Sequence, residues 1–169
     1  MARRKPHRRP YDPEIDYSLR PARDGSGYEL VPPRCATQRT EDLQEVEHMI
    51  AAGEFEIARD ELRWLIQECP HLMEAHQMLG ELAAAEDDFA LARAHFGHVF
   101  QTARNVIQRA GWPGRVPYAL CGNRPLHECG KGLAYALRQQ GERQLVREVV
   151  ETLLQLDPDD PLHVRELLE

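Results

Sequence analysis

Serine is almost missing from this chain: Ser18 and Ser26 are the only two, and both lie in the proline-rich first 36 residues. A serine–histidine hydrolytic centre needs its hydroxyl held beside a base on a packed body, so residues 37–169 contain no nucleophile for one. Long apolar runs are missing too. No stretch nears the ~20 residues that cross a bilayer, and the basic opening Arg3, Arg4, Lys5, Arg8, Arg9 runs into Pro10, Tyr11 and Asp12 rather than into the apolar segment of a secretory leader. The cysteines, Cys35, Cys69, Cys121 and Cys129, are too few and too scattered for a disulfide framework. Reduced thiols and a cytoplasmic location are therefore expected.

Charge and apolar residues are plentiful, at 29% and 42% of 169 residues, which suits one domain with a real core. The charge is segregated. Residues 1–36 hold eight basic and five acidic side chains, whereas residues 37–169 hold 13 basic against 23 acidic. A body this acidic lacks the cationic face that displaces counterions from phosphates, so no nucleic acid partner is expected. Residues 1–36 also carry Pro6, Pro10, Pro13, Pro21, Pro32 and Pro33 without apolar periodicity, and read as a disordered basic, proline-rich tail.

From Thr40, read as an N-cap with Glu41 and Asp42 in the first turn, apolar residues recur at helical spacing as Leu43, Val46, Met49 and Ile50, up to Gly53. A second amphipathic run, Phe55, Ile57, Ala58, Leu62, Leu65 and Ile66, stops before Pro70. The pair then repeats. Phe55, Ala58, Leu62 and Leu65 recur as Phe89, Ala92, Phe96 and Val99, a constant offset of 34 residues. A third unit follows 54 residues on, with Leu133, Leu137, Gly141, Val146, Val150 and Leu153 in the places of Leu79, Ala83, Asp87, Ala92, Phe96 and Val99. A 20-residue insertion, about 106–125, separates units two and three. Asp160 and Pro161 read as the N-cap and first turn of a last helix containing Leu162, Val164, Leu167 and Leu168.

The 34-residue helical-hairpin period, with small Ala58, Gly80 and Ala92, bulky Phe55, Phe89 and Phe96, and Pro70 and Pro158 closing units, resembles the tetratricopeptide repeat over about residues 39–169. The family's first-helix motif survives as His76, Leu79, Gly80, with His76 in place of the usual tryptophan. The resemblance implies an all-α fold: a right-handed stack of three helical hairpins over residues 37–169, plus a C-terminal capping helix. It also implies a groove lined by the first helix of each unit, where the family usually receives a peptide. Those places hold Glu47 in unit one, Glu74, Gln77, Met78 and Glu81 in unit two, and Glu128, Lys131, Tyr135 and Arg138 in unit three. The carboxylate clamp of one chaperone-binding subgroup is absent, since its places hold Leu43, Glu47, Met78, Glu128 and Gly132.

Chemistry is thin elsewhere. Cys121, His127 and Cys129 offer soft ligands, and His95 with His98 lies on one helix face, but no CxxC pair or fourth ligand stands at zinc spacing, and packing is the plainer role. His76 reads as a core histidine hydrogen-bonded between helices. Gly130, Lys131, Gly132 lacks the glycine and hydroxyl residue of a phosphate loop; its glycines are expected to let the insertion approach closely. The insertion is apolar for a loop. Trp112 and Tyr118 are expected to pack onto the repeats or to meet a partner, with Arg115, Asn123 and Arg124 fixing the loop backbone or joining that contact. No cofactor or metal is expected. The reading is a non-catalytic protein- or peptide-binding adaptor, with an assembly subunit of a homo- or hetero-oligomer as the alternative; the groove glutamates favour a cationic partner over an acidic C-terminus.

Overall fold

Helices carry most of the chain in the computed structural model, which describes residues 9–169. After a small antiparallel hairpin, β1 (Ser18–Pro21) and β2 (Tyr28–Val31), come α1 (Arg34–Thr37), α2 (Thr40–Ala51), α3 (Phe55–Glu68), α4 (Met73–Ala85), α5 (Phe89–Arg109), α6 (Arg124–Gln139) and α7 (Arg143–Leu156). The fold is mostly helical, as expected. Helices α2/α3, α4/α5 and α6/α7 pack as consecutive pairs, with α4 and α5 each also packed on α6. Among the described residues no helix is long and apolar enough to cross a membrane.

The three pairs turn by the same device. Gly53, Asp87 and Gly141 adopt positive φ of 80°, 59° and 78°, and they stand 34 and 54 residues apart, the same offsets as the apolar pattern of the sequence. The residue after each turns back: Glu54, Asp88 and Glu142 donate their backbone N–H to Met49, Ala83 and Leu137 at 2.9–3.0 Å. Asp88 alone adds a side-chain cap, accepting from the Leu91 N–H at 3.0 Å. Glycine enters the left-handed region freely, and aspartate is among the few residues that tolerate it. The second helices of units one and three also end alike, with Cys69 and Asp157 in extended geometry before Pro70 and Pro158.

Two apolar cores meet along α4. One gathers Val46, Ala58, Leu62, Leu65, Leu72 and Leu79 between α2, α3 and α4. The other runs from Ala92, Phe96 and Val99 of α5 to Leu133, Val146, Val150 and Leu153. Phe96 packs so tightly that a Cβ on Gly132 would lie 2.7 Å from its ring, and one on Gly80 would also collide with it. A Cβ on Gly130 would lie 2.7 Å from Leu153 of α7. Gly130 and Gly132 therefore serve helix–helix packing, which corrects the expectation that they accommodate the insertion.

Several further expectations are corrected. Residues 18–36, read as disordered tail, form the β-hairpin and α1; Ser18 pairs with Val31 and Pro21 with Tyr28, and Leu30 and Ala36 are buried. Residues 1–8 of the basic tail lie outside the described residues. Thr40 is the first residue of α2 rather than its cap, its hydroxyl donating to the Thr37 carbonyl. Cys35 and Cys69, expected as thiols, are joined in a disulfide between α1 and the end of α3. The capping helix is a single 3-10 turn, Val164–Leu168. Asp160 adopts positive φ and instead accepts the N–H groups of Val164 and Arg165 at 2.7 and 3.3 Å.

Replacing Gly132 with Ala should overpack the Phe96 site and cost about 1–3 kcal/mol. In a Phe96→Leu background most of that penalty should vanish, a non-additivity that denaturant melts of the four proteins measure. Reduction with dithiothreitol should raise the titratable thiols from two to four and lower the unfolding midpoint, the bond across this loop being worth about 2–4 kcal/mol.

Candidate functional site: the acidic face of α4 and α6

The groove positions of units two and three come together. Gln77 of α4 donates through Nε2 to Glu81 Oε1 at 2.9 Å and to Glu128 Oε2 of α6 at 2.5 Å. Tyr118 of the insertion donates its hydroxyl to the other Glu128 oxygen at 2.8 Å, and the Arg124 guanidinium lies 5.8 Å from the Tyr118 ring centre. Two polar side chains from separate segments, Gln77 of α4 and Tyr118 of the insertion, thus converge on Glu128. Desolvation holds the Glu81 carboxyl above the usual carboxylate range, against the Gln77 hydrogen bond, and Glu128 adds to the rise.

Glu74, one turn toward the start of α4, is half-buried, and its Oε2 has no hydrogen-bond partner among the described residues. Burial holds its carboxyl above the usual carboxylate range. The phenol of Tyr17, itself 5% exposed, accepts the Met73 backbone N–H at 3.2 Å beside Glu74. Its own deprotonation is pushed to far higher pH, first by burial and then by the Glu74 charge. Tyr17 closes one end of this face, a role that sequence reading missed because its segment was read as tail.

The remaining groove residues divide. Lys131 donates to the Leu162 carbonyl at 2.9 Å and Arg138 to the Glu166 carbonyl at 3.4 Å, so both hold the C-terminal segment. Tyr135 is 44% exposed, edge-on to Phe89. Met78 packs partly into the first core. Glu47 stays exposed on α2, outside the Gln77–Glu128 network. Among the described residues, Glu47, Glu74, Glu81 and Glu128 enter no ion pair with Lys or Arg, although pairs are common elsewhere, as at Arg20–Glu29 and Arg115–Asp157.

The insertion is packed rather than free. Val116 is fully buried, donates to the Leu156 carbonyl at 2.9 Å and accepts from His127 Nε2 at 2.7 Å. Trp112 is half-buried against the second core. Arg115 pairs with Asp157 and Asp159 at 2.9 and 2.5 Å, and Asp157 also accepts the Tyr118 N–H. Asn123 is fully buried: its Oδ1 accepts the Leu30 N–H at 2.8 Å, while its Nδ2 donates to the Tyr28 and Pro117 carbonyls, both at 2.9 Å. That one amide fastens the N-terminal hairpin to the insertion. Gly27 and Gly122 mark the contact, because a Cβ on either would strike the Arg115 or Leu30 carbonyl.

The other chemical candidates separate. Cys121 is exposed and Cys129 buried, with burial raising the Cys129 thiol well above its ordinary range, so it is not the thiolate a nucleophile requires. Among the described residues no three His, Cys, Asp or Glu side chains are grouped to hold a metal ion. His76 is buried between helices, its Nε2 donating to the Pro70 carbonyl at 2.9 Å.

Comparison of the chain with protein-family models, curated proteins and solved structures finds no match to any of them.

Replacing Asn123 with Ala should strand the buried Leu30 N–H and two carbonyls, a loss of about 2–4 kcal/mol. Hydrogen exchange at Leu30 and proteolysis between residues 18 and 31 should both accelerate, while exchange within α2 and α3 should not.

Proposed function

We propose that this chain is a non-catalytic scaffold of tetratricopeptide-like hairpins that binds a cationic peptide or protein segment along the α4–α6 face. One observation carries the reading: among the described residues Glu74, Glu81 and Glu128 share a face and none is ion-paired, while the nearby Lys131 and Arg138 are drawn off to backbone carbonyls and Arg124 lies against the Tyr118 ring. The three-fold reuse of one turn geometry at 34- and 54-residue offsets supports the repeat reading. Charged groups of one sign on a shaped surface draw the opposite sign and reject their own, so the face selects by charge. Tyr118 and Tyr135 supply apolar flanks beside it.

A second reading, an assembly subunit, draws on Ile57 and Trp64, which lie seven residues apart on one side of α3 and are 58% and 43% exposed. Light scattering after size exclusion separates the two: a monomer at all concentrations favours the scaffold, a concentration-independent dimer the subunit. The Cys35–Cys69 bond favours a thiol-oxidising compartment over the cytoplasm.

A fluorescent Lys/Arg-rich peptide should bind the full chain at low ionic strength, more weakly as salt rises, and an acidic peptide of equal length should not. Glu81→Gln with Glu128→Gln should weaken that binding at least tenfold without lowering the melting temperature. Equal affinity for both peptides, or no change in the double variant, overturns the reading.

A further inference from the structure

Four of the chain's eight histidines gather at one corner of the fold, away from the acidic face. His71 follows Pro70 in the link between α3 and α4, His76 lies on α4, and His95 and His98 lie on α5. His71 Nδ1 stands 3.1 Å from His98 Nε2, and His76 Nδ1 stands 3.1 Å from His95 Nδ1. The His76 and His98 rings stack with centroids 4.1 Å apart, so the four imidazoles form one continuous chain. Their donors do not group around a metal position.

The hydrogen bonds fix where the protons sit. A carbonyl only accepts, so His76 Nε2 carries a hydrogen for the Pro70 oxygen, and in the neutral ring Nδ1 keeps its lone pair. His95 must then donate across the 3.1 Å gap. The His71–His98 contact likewise has room for one hydrogen between two nitrogens. Each pair is satisfied when neutral. A second proton on either pair sets N–H against N–H, and charge on both His76 and His98 sets two cations face to face.

We propose that this histidine cluster is an acid-sensitive latch, which holds the α3–α4 corner against α5 while neutral and releases it when protonated. Little nearby charge would compensate the added protons. Asp16 faces His71 but is bound by Arg9 at 2.7 Å, and Arg9 itself opposes protonation of His71. Arg63 of α3 opposes protonation of His95, Arg109 of α5 lines the same recess as His71, and the Pro70 carbonyl alone favours the charged rings His76 and His98. Burial is the leading cause that lowers all four, His76 to about 4 from the usual 6.5. A base whose folded value is lowered binds more protons when its surroundings open. The latch therefore holds fully above about pH 6.5 and weakens progressively as pH falls towards 4. The Cys35–Cys69 bond, one residue before Pro70, keeps the released corner tethered to α1.

Hydrogen exchange of the full chain at pH 7.5 and pH 5.0, corrected for intrinsic rates, tests this. Protection in segments 66–78 and 92–101 should fall at least tenfold more than in α7. The buried His127 serves as an internal control, since its protonation would loosen the 111–120 loop instead. In His95→Gln with His98→Gln, which retains polar side chains without a titrating proton, the excess loss should shrink severalfold. Corner protection that falls no more than that of α7, or an unchanged loss in the double variant, overturns the latch. Should the double variant not fold, imidazole NMR titration of the wild-type chain decides: midpoints lowered from the usual 6.5 for these four rings support the proposal, and midpoints at or above 6.5 overturn it.

Discussion

The seating of the Phe96 ring between Gly80 and Gly132 is the contact from which the rest of the arrangement follows. Burying a ring of this size contributes about 1.5–3 kcal/mol, yet its geometric effect matters more. With no Cβ on either glycine, α4 and α6 both close onto α5, and the ring fills the space where three helices meet. That closeness lets Gln77 span from α4 to Glu128 on α6. A larger spacing would leave Glu81 and Glu128 as separate solvated carboxylates rather than one face.

The N-terminal segment works as a strap joining the first and last units. At one end the Cys35–Cys69 bond secures it to α3; at the other, Asn123 and the close approaches at Gly27 and Gly122 secure it to the insertion. Stacked repeats ordinarily touch only their neighbours, so distant units communicate through intervening interfaces. Here the strap adds a second connection between units one and three. Tyr17 and Glu74 also meet because of it, which places a buried phenol at one end of the acidic face.

The helix pairs and their turns were legible because they are local. Gly53, Asp87 and Gly141 stand at the spacing that the Phe55/Phe89 and Ala58/Ala92 pairs prescribe, and each shapes its turn within a few residues. His76 as a core histidine was legible for the same reason. The β-hairpin was not, since Pro21, Pro32 and Pro33 mimic a disordered composition while the partners that order Leu30 lie more than 90 residues away. The disulfide stayed hidden because only the docking of α1 brings Cys35 to Cys69. Gly130 and Gly132 were recognised as sites of close approach, but their partners proved to be Leu153 and Phe96, side chains on helices rather than the insertion. Of the candidate site, the glutamates were named by register; Gln77 as their bridge and Tyr17 as their end depend on side-chain reach and on the strap.

Helix α4 is where these features converge. Its groove side carries Glu74, Gln77 and Glu81, and His76, between them in sequence, reaches the Pro70 carbonyl and the α5 histidines instead. Desolvation raises the two carboxyls and lowers the imidazole, so both families of groups resist their charged forms for one physical reason. A cation arriving at the groove would reverse the strain on the carboxyls, because an opposite charge favours ionisation. A proton arriving at the corner relieves nothing, since each imidazole already has its hydrogen-bond partner. On the proposed reading the two sides of α4 would respond oppositely to positive charge, the acidic face being completed by it and the corner disrupted by it. Such opposition would let a single helix distinguish a bound basic partner from a fall in pH.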